Sequence, residues 1–313
     1  MKALVTGGAG FIGSHLTDAL VERGDEVLVV DDLSSGKHGN LARALGNGAT
    51  LEVLDITDAK ALLTASERFA PELIFHLAAQ IDVRKSMSDP PFDARLNVLG
   101  TVNLLEIARR VAAERFVFAS TGGAIYGEGA ERPEELPFAE DARCEPFSVY
   151  GQSKLAAEGY VGLYRRIYGL GATTARLGNV YGPRQDPALE AGVVAIFCGL
   201  ARGSGRPTVF GDGKQTRDYV HVADIASGLL AAASADSQGP FNLGTGTEVT
   251  VLELAERIGR AAGREDFEPH FAPPRAGEVE RVVLDPTRAA EQLGWRAERD
   301  LEHGVAQTLA AER

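Results

Sequence analysis

Three observations predict an α/β protein, a doubly wound parallel sheet with a smaller C-terminal domain interleaved with it. A β-rich run, Lys2 to Thr6, passes through Gly7, Gly8 and Gly10 into a segment where Phe11, Ile12, Leu16, Ala19 and Leu20 recur at helical spacing. Strand-like and helix-like stretches then alternate to about Ala119, the order that lays helices on both faces of a parallel sheet. From about residue 180 the alternation fails and Gly and Pro clusters appear, at Gly182-Pro183, Gly203 to Pro207, Gly211 to Gly213 and Pro273 to Gly277.

The first unit carries the clearest chemistry. Gly7, Gly10 and Gly13 stand three apart in the turn between strand and helix, where backbone amides and a helix N-terminus offer a site for a pyrophosphate. A second strand, Glu26 to Val30, ends at Asp31, placed to accept hydrogen bonds from an adenosine ribose. An acid there repels a 2′-phosphate, and no arginine follows before Arg43, so the pattern favours NAD over NADP. Asp32 reads as a solvated loop residue. Further strands are expected over Thr50 to Leu54, Leu73 to Leu77 and Arg115 to Ala119, with helices over Asp58 to Phe69 and Phe92 to Ala112. In such a Rossmann-type sheet ligands lie beyond the C-terminal strand ends. Asp55-Ile56, Ala78-Ala79-Gln80 and Ser120-Thr121 all fall there.

Tyr219 to Val222 and Phe241 to Leu243 read as strands that return the chain to the first domain. The expected division is residues 1–176 with about 216–245 for the nucleotide-binding domain, and about 177–215 with 246–313 for the other. A net charge of −12 argues against a nucleic-acid face. No apolar run reaches membrane-spanning length, and Val193 to Leu200 is among the longest. Cys144 and Cys198 show no metal-ligand spacing and suit a reducing compartment, so no metal site and a cytoplasmic location are expected. Met1-Lys2 runs straight into the first strand, which leaves no pattern of a secretory leader.

Tyr150 and Lys154 lie one helical turn apart and share a helix face. A neighbouring ammonium stabilises a phenolate, so Tyr150 is a candidate general base with Lys154 as its tuner.

Thr6-Gly7-Gly8-Ala9-Gly10-Phe11-Ile12-Gly13, His76-Leu77-Ala78-Ala79, Asn97-Val98-Leu99-Gly100-Thr101, Tyr150-x-x-x-Lys154 and Asn179-Val180-Tyr181-Gly182-Pro183-Arg184 occur in order. With these motifs the chain resembles the extended short-chain dehydrogenase/reductase family over nearly its whole length, and within it the UDP-glucose 4-epimerases. The resemblance implies a bound NAD, reduced and reoxidised within one turnover. Phe11, Ile12 and Asn97 then join the glycines, Asp31 and the strand-end residues as cofactor contacts. Tyr150 would take the proton of the sugar 4-hydroxyl, and a 4-keto sugar would turn about its diphosphate before hydride returns to its other face. Asn179 and Arg217 are implied at the diphosphate, Arg275 at the diphosphate or uridine ribose, and Glu278 at the ribose hydroxyls.

The chain departs from the family pattern at Gly122, where a serine is expected to join the pair. The role falls to Thr121, to Ser120 or to no residue, and Thr121 is the expected one. Gly122, Gly123 and Ala124 supply no second acid of the kind that 4,6-dehydratases and decarboxylases use, and Glu128 reads as a surface charge. Val282 stands where a bulkier residue narrows the sugar pocket in some relatives, which predicts room for N-acetyl sugars. Arg184 keeps a UDP-glucuronate 4-epimerase open as an alternative. A non-catalytic NAD-binding sensor is the alternative of another class. Apolar residues on more than one face of Phe92 to Ala112 and Ser153 to Ile167 predict, with the resemblance, a homodimer through a four-helix bundle.

Overall fold

The computed structural model describes residues 1–187, 192–236, 239–274 and 279–311. Its centre is a seven-stranded parallel sheet. We label its first six strands β1 (Lys2–Thr6), β2 (Glu26–Asp31), β3 (Thr50–Val53), β4 (Leu73–His76), β5 (Arg115–Thr121) and β6 (Ala172–Leu177). From one edge to the other the order is Phe241–Leu243, β6, β5, β4, β1, β2, β3. Strand order reverses between β1 and β4, so the two connections leave on opposite faces and a crevice opens between them. Val5, Val29, Phe75 and Val117 fill one face of the sheet. Leu4, Leu28, Ile74 and Phe116 fill the other. Both faces of β1, β2, β4 and β5 are therefore apolar, as a sheet covered on two sides requires.

The long helical pattern after Pro90 is not one helix. It divides into Pro90–Ala94, a π turn over Arg95–Leu99 and an α-helix Gly100–Arg110. Asp89 caps the first piece by accepting from the Phe92 amide at 3.1 Å, and the π turn widens the spiral where Asn97 must turn inward. The expected strand Tyr219 to Val222 also differs. Tyr219–His221 pairs with Asn179–Tyr181 in a separate two-stranded sheet, and only Phe241–Leu243 returns to the central one.

Helices Val193–Arg202, Val251–Ala261 and Leu301–Ala311 pack over a second core that includes Phe197, Leu254, Ile258 and Val305. Asp218 is fully buried and ties this region together, accepting from the amides of Thr245, Gly246 and Leu284. Glu128, expected at the surface, is 9 % exposed. It accepts from the amides of Ala130, Glu280 and Arg281, so its charge is spent fastening the 280–284 segment to the loop after β5. No helix among the described residues is long and apolar enough to cross a membrane.

Candidate active site

The crevice at the strand-order reversal is the wall of a long cleft, with about 1330 Å³ of space, part of it open to solvent. Gly7, Gly10, Phe11, Ile12 and Gly13 line its middle, Asp31 and Asp55-Ile56 one end, and Ala119, Ser120, Tyr150 and Lys154 the other. The glycines are required by crowding. A Cβ on Gly13 would lie 2.1 Å from the Gly7 carbonyl oxygen, and one on Gly7, whose φ is +71°, would lie 2.6 Å from the Ala78 nitrogen. Backbone thus closes on backbone, and the amides at the start of helix Phe11–Glu22 face the cleft unobstructed.

Asp31 is held by the amides of Ala9 and Leu33, both at 2.9 Å. Burial pushes its carboxyl above the ordinary value, while those two amides pull it down. Two features of this end escaped the motif reading. Ser34, Ser35, Lys37 and Asn40 extend the wall beyond Asp32, and a strap of residues 184–186 closes over it. Lys37 pairs with Asp186 at 2.5 Å, and Arg184 pairs with Asp18 at 2.6 Å. Arg184 lines the cleft with one guanidinium nitrogen bound to a carboxylate of helix Phe11–Glu22, while its Nη1 is buried without a partner.

At the other end Ser148 caps the helix Val149–Tyr168, accepting from the Gly151 amide at 3.1 Å. A Cβ on Gly151 would lie 2.3 Å from the Ala124 carbonyl oxygen, so this glycine lets the helix approach the loop after β5. That approach brings the Tyr150 phenol beside the Thr121 hydroxyl, which favours its ionised form. Gly122 is explained by the same packing: a Cβ there would lie 2.5 Å from Leu284 Cδ1. Leu284 occupies the space a serine side chain would need. The neighbouring Ser120 hydroxyl is buried without a partner in the cleft wall.

Lys154 is 3 % exposed, donates to the Ala119 carbonyl at 2.9 Å and lies 4.7 Å from the centre of the Phe118 ring. Burial pushes its ammonium down to about 8. Burial also pushes the Tyr150 phenol up to about 12, against the lowering by the Thr121 hydroxyl. The expectation that Lys154 brings Tyr150 toward neutrality is thus corrected for the protein's own groups, because desolvation outweighs them. His76 sits behind the pair and is driven down to about 3, by burial first and then by Lys154. It is neutral, bonded to Thr6 at 2.8 Å and Thr101 at 3.0 Å.

Not every predicted contact reaches the cleft. Asn97 is 1 % exposed and fully engaged, accepting from the Gln80 amide and donating to the Gln80 carbonyl and Asp93. Gln80 is likewise spent on Asp82 and Asp93. Both stand one layer behind the lining, where they fix the loop that carries Ala78-Ala79. Val282 is 1 % exposed in a core cluster with Ile125, Tyr126, Phe138 and Leu284. Among the described residues it does not line this cleft. Asn179 keeps a buried, unpartnered Oδ1, 3.3 Å from where a Gly123 Cβ would stand. Arg217 donates to the Thr216 carbonyl at 2.7 Å. Arg275 and Glu278 lie outside the described residues. Among the described residues no cluster of His, Cys, Asp or Glu could hold a metal ion.

A family model described as GDP-mannose 4,6 dehydratase matches residues 4–308. The chain belongs to this family of extended short-chain dehydrogenases/reductases. Within the family the chain is 46 % identical over 312 residues to a UDP-glucose 4-epimerase of Mycolicibacterium smegmatis, covering 99 % of this chain and 97 % of that one. A UDP-glucose 4-epimerase of Thermotoga maritima, solved with UDP-glucose, superposes with a TM-score of 0.95 at 43 % identity, over 99 % and 98 % of the two chains. The Thermus thermophilus UDP-glucose 4-epimerase, solved in complex with NAD, gives 0.92 at 41 %, again over 99 % and 98 %.

Proposed function

We propose that this chain is an NAD-dependent UDP-hexose 4-epimerase that interconverts UDP-glucose and UDP-galactose. The observation that carries this is the Thr121–Tyr150–Lys154 constellation at one end of a cleft whose other end is built for adenosine. The residues fit the cofactor: the Gly7–Gly13 turn leaves room for a pyrophosphate, and Asp31 stands where a ribose would lie. NAD bound there supplies a positive nicotinamide ring near Tyr150 and the means to accept and return a hydride.

The chain's own residues handle the proton and the orientation. Lys154, charged below about pH 8, would help hold the nicotinamide ribose and, with the cofactor bound, would stabilise a phenolate at Tyr150. Tyr150 removes the proton from the sugar 4-oxygen as the C4–H electron pair departs, leaving a C4 ketone. Thr121, beside Tyr150, holds the phenol toward the sugar. After the sugar turns, Tyr150 returns its proton to the 4-oxygen while the hydride adds to the opposite face. No atom is gained or lost, so one base suffices, consistent with Gly122, Gly123 and Ala124 offering no second acid.

Asn179 and Arg217 are assigned to the diphosphate, and residues about 177–215 with 246–313 to the UDP-sugar, leaving residues 1–176 with about 216–245 for NAD. Leu99, Tyr160, Ile167 and Tyr168 are exposed on the helices Gly100–Arg110 and Val149–Tyr168 or at their ends, which supports a homodimer through these helices. The two free thiols suit the cytoplasm. Incubation with UDP-galactose, without added NAD, is expected to yield UDP-glucose of unchanged mass by chromatography. Loss of water would mean a dehydratase. Turnover of nothing, with no NADH absorbance on adding UDP-sugars, would mean a sensor. Sedimentation at micromolar concentration tests the dimer, which a monomeric mass would overturn.

A further inference from the structure

Asp93 is a buried acidic side chain that the mechanism above does not use. It sits on the short helix Pro90–Ala94, which packs against both Val83–Ser88 and the catalytic helix Val149–Tyr168. Its side chain is sealed from solvent. One oxygen accepts from Gln80 Nε2 at 2.9 Å and from Asn97 Nδ2 at 3.0 Å. The other, Oδ2, is buried and has no hydrogen-bond partner. A carboxylate with one bare oxygen in the interior is costly unless a charge within reach compensates it. Hydrogen bonding to Gln80 and Asn97 could be served by a neutral amide oxygen. The negative charge therefore needs a separate reason.

Lys154 supplies it. The ammonium is as deeply buried as Asp93, and its described contacts are a carbonyl and a ring face rather than an acid. We propose that Asp93 is a positioning residue for catalysis, the counter-charge that keeps the Lys154 ammonium in place behind Tyr150. The idea rests on the epimerase reading above. Asp93 lies within electrostatic reach of both members of the pair and favours the protonated form of each.

Other charges bear on the same region. Asp82, Arg84, Lys85 and Asp89 lie on or beside the helix Val83–Ser88, and Arg95 begins the π turn. Lys85 and Arg95 are turned to the Phe92 ring, at 4.2 and 5.8 Å. Glu158 also favours the charged Lys154, but its own oxygens are bonded to Arg176. His76, on β4, is neutral and adds no counter-charge. Glu158 is thus committed to Arg176, whereas Asp93 keeps a buried, unpartnered Oδ2 on a helix packed against the one that carries Lys154.

The sign of the effect follows. Without the carboxylate both Tyr150 and Lys154 release protons more easily, so the whole pH profile moves to the acid side. The test measures kcat/KM for UDP-galactose from pH 6 to 10 for the wild type, Asp93→Asn and Asp93→Glu, each with its bound NAD quantified. For Asp93→Asn the alkaline limb is expected to fall by about one pH unit, giving roughly a tenfold loss above pH 8.5 and a much smaller one near pH 6.5. Asp93→Glu, which keeps the charge, should restore the alkaline limb even if kcat stays reduced. Equal losses in both variants at every pH would make Asp93 a mere anchor for Gln80 and Asn97 and overturn the proposal. So would failure of Asp93→Asn and Asp93→Ser alike to fold, since the carboxylate would then serve the fold itself. A wild type that epimerises no UDP-sugar would instead sink the functional reading, an outcome distinct from unchanged limbs in an active enzyme.

Discussion

The two ends of the cleft are built in opposite ways. The adenosine half rests mainly on residues near one another in sequence: the Gly7–Gly13 turn in the middle of the cleft and the strand end Asp31, whose side chain bonds to amides at positions 9 and 33, with the 184–186 strap as a distant part. The catalytic end is assembled from distant segments. Thr121 ends β5, Tyr150 opens a helix, Leu284 arrives from the second unit and Asp93 from a helix before the π turn. The first end works mainly through backbone and is limited by crowding. The second works through side chains whose behaviour is set by burial, which moves Tyr150 and Lys154 in opposite directions from their ordinary values.

Breaking the catalytic end should cost rate and spare binding. Tyr150→Phe is expected to lower kcat about 10³-fold while retaining NAD and UDP. Full activity in that variant would remove Tyr150 as the base. Breaking the adenosine end should cost structure instead. In Gly13→Ala the new methyl meets the Gly7 carbonyl at 2.1 Å, and we expect roughly 3 kcal/mol of destabilisation with loss of bound NAD, read by thermal melting and absorbance.

The pH response sharpens the contrast. Because the Lys154 ammonium is lowered to about 8, its charge is complete well below that pH and lost above it. Activity should decline through pH 8 to 9, while NAD retention, which depends on the other end, stays level. A flat rate to pH 10 would place the working Lys154 well above that value. Thr121→Val should cost about tenfold in kcat with Thr121→Ser near wild type, since only the hydroxyl is needed. If Val is harmless, Ser120 is the hydroxyl to examine next. The smallest effect is expected for Gly122→Ser. Restoring the family serine drives a side chain against Leu284, so melting should show about 1 kcal/mol of destabilisation and no gain in rate.

The strands, their parallel order and the adenosine end were legible because each depends on neighbouring residues: apolar runs make strands, and three glycines in register make a turn. Asn97, Gln80 and Val282 misled for a common reason. Motif position says which residues stand near a site, but not whether a side chain faces the cleft or the layer behind it. Glu128 looked like a surface charge because the three amides it binds, two of them about 150 residues away, are invisible along the chain.

By itself the sequence determined the α/β order, the glycine turn with Asp31, and the pairing of Tyr150 with Lys154, all set by spacing within a turn, a strand end or one helical turn. The tertiary structure alone decided that Thr121 comes beside Tyr150, that Leu284 fills the place of the absent serine, and that Asp93 is sealed on a helix packed against the one that carries the pair. Those relations depend on how much space and how little water remain once distant segments close together, and neither quantity is encoded in local spacing.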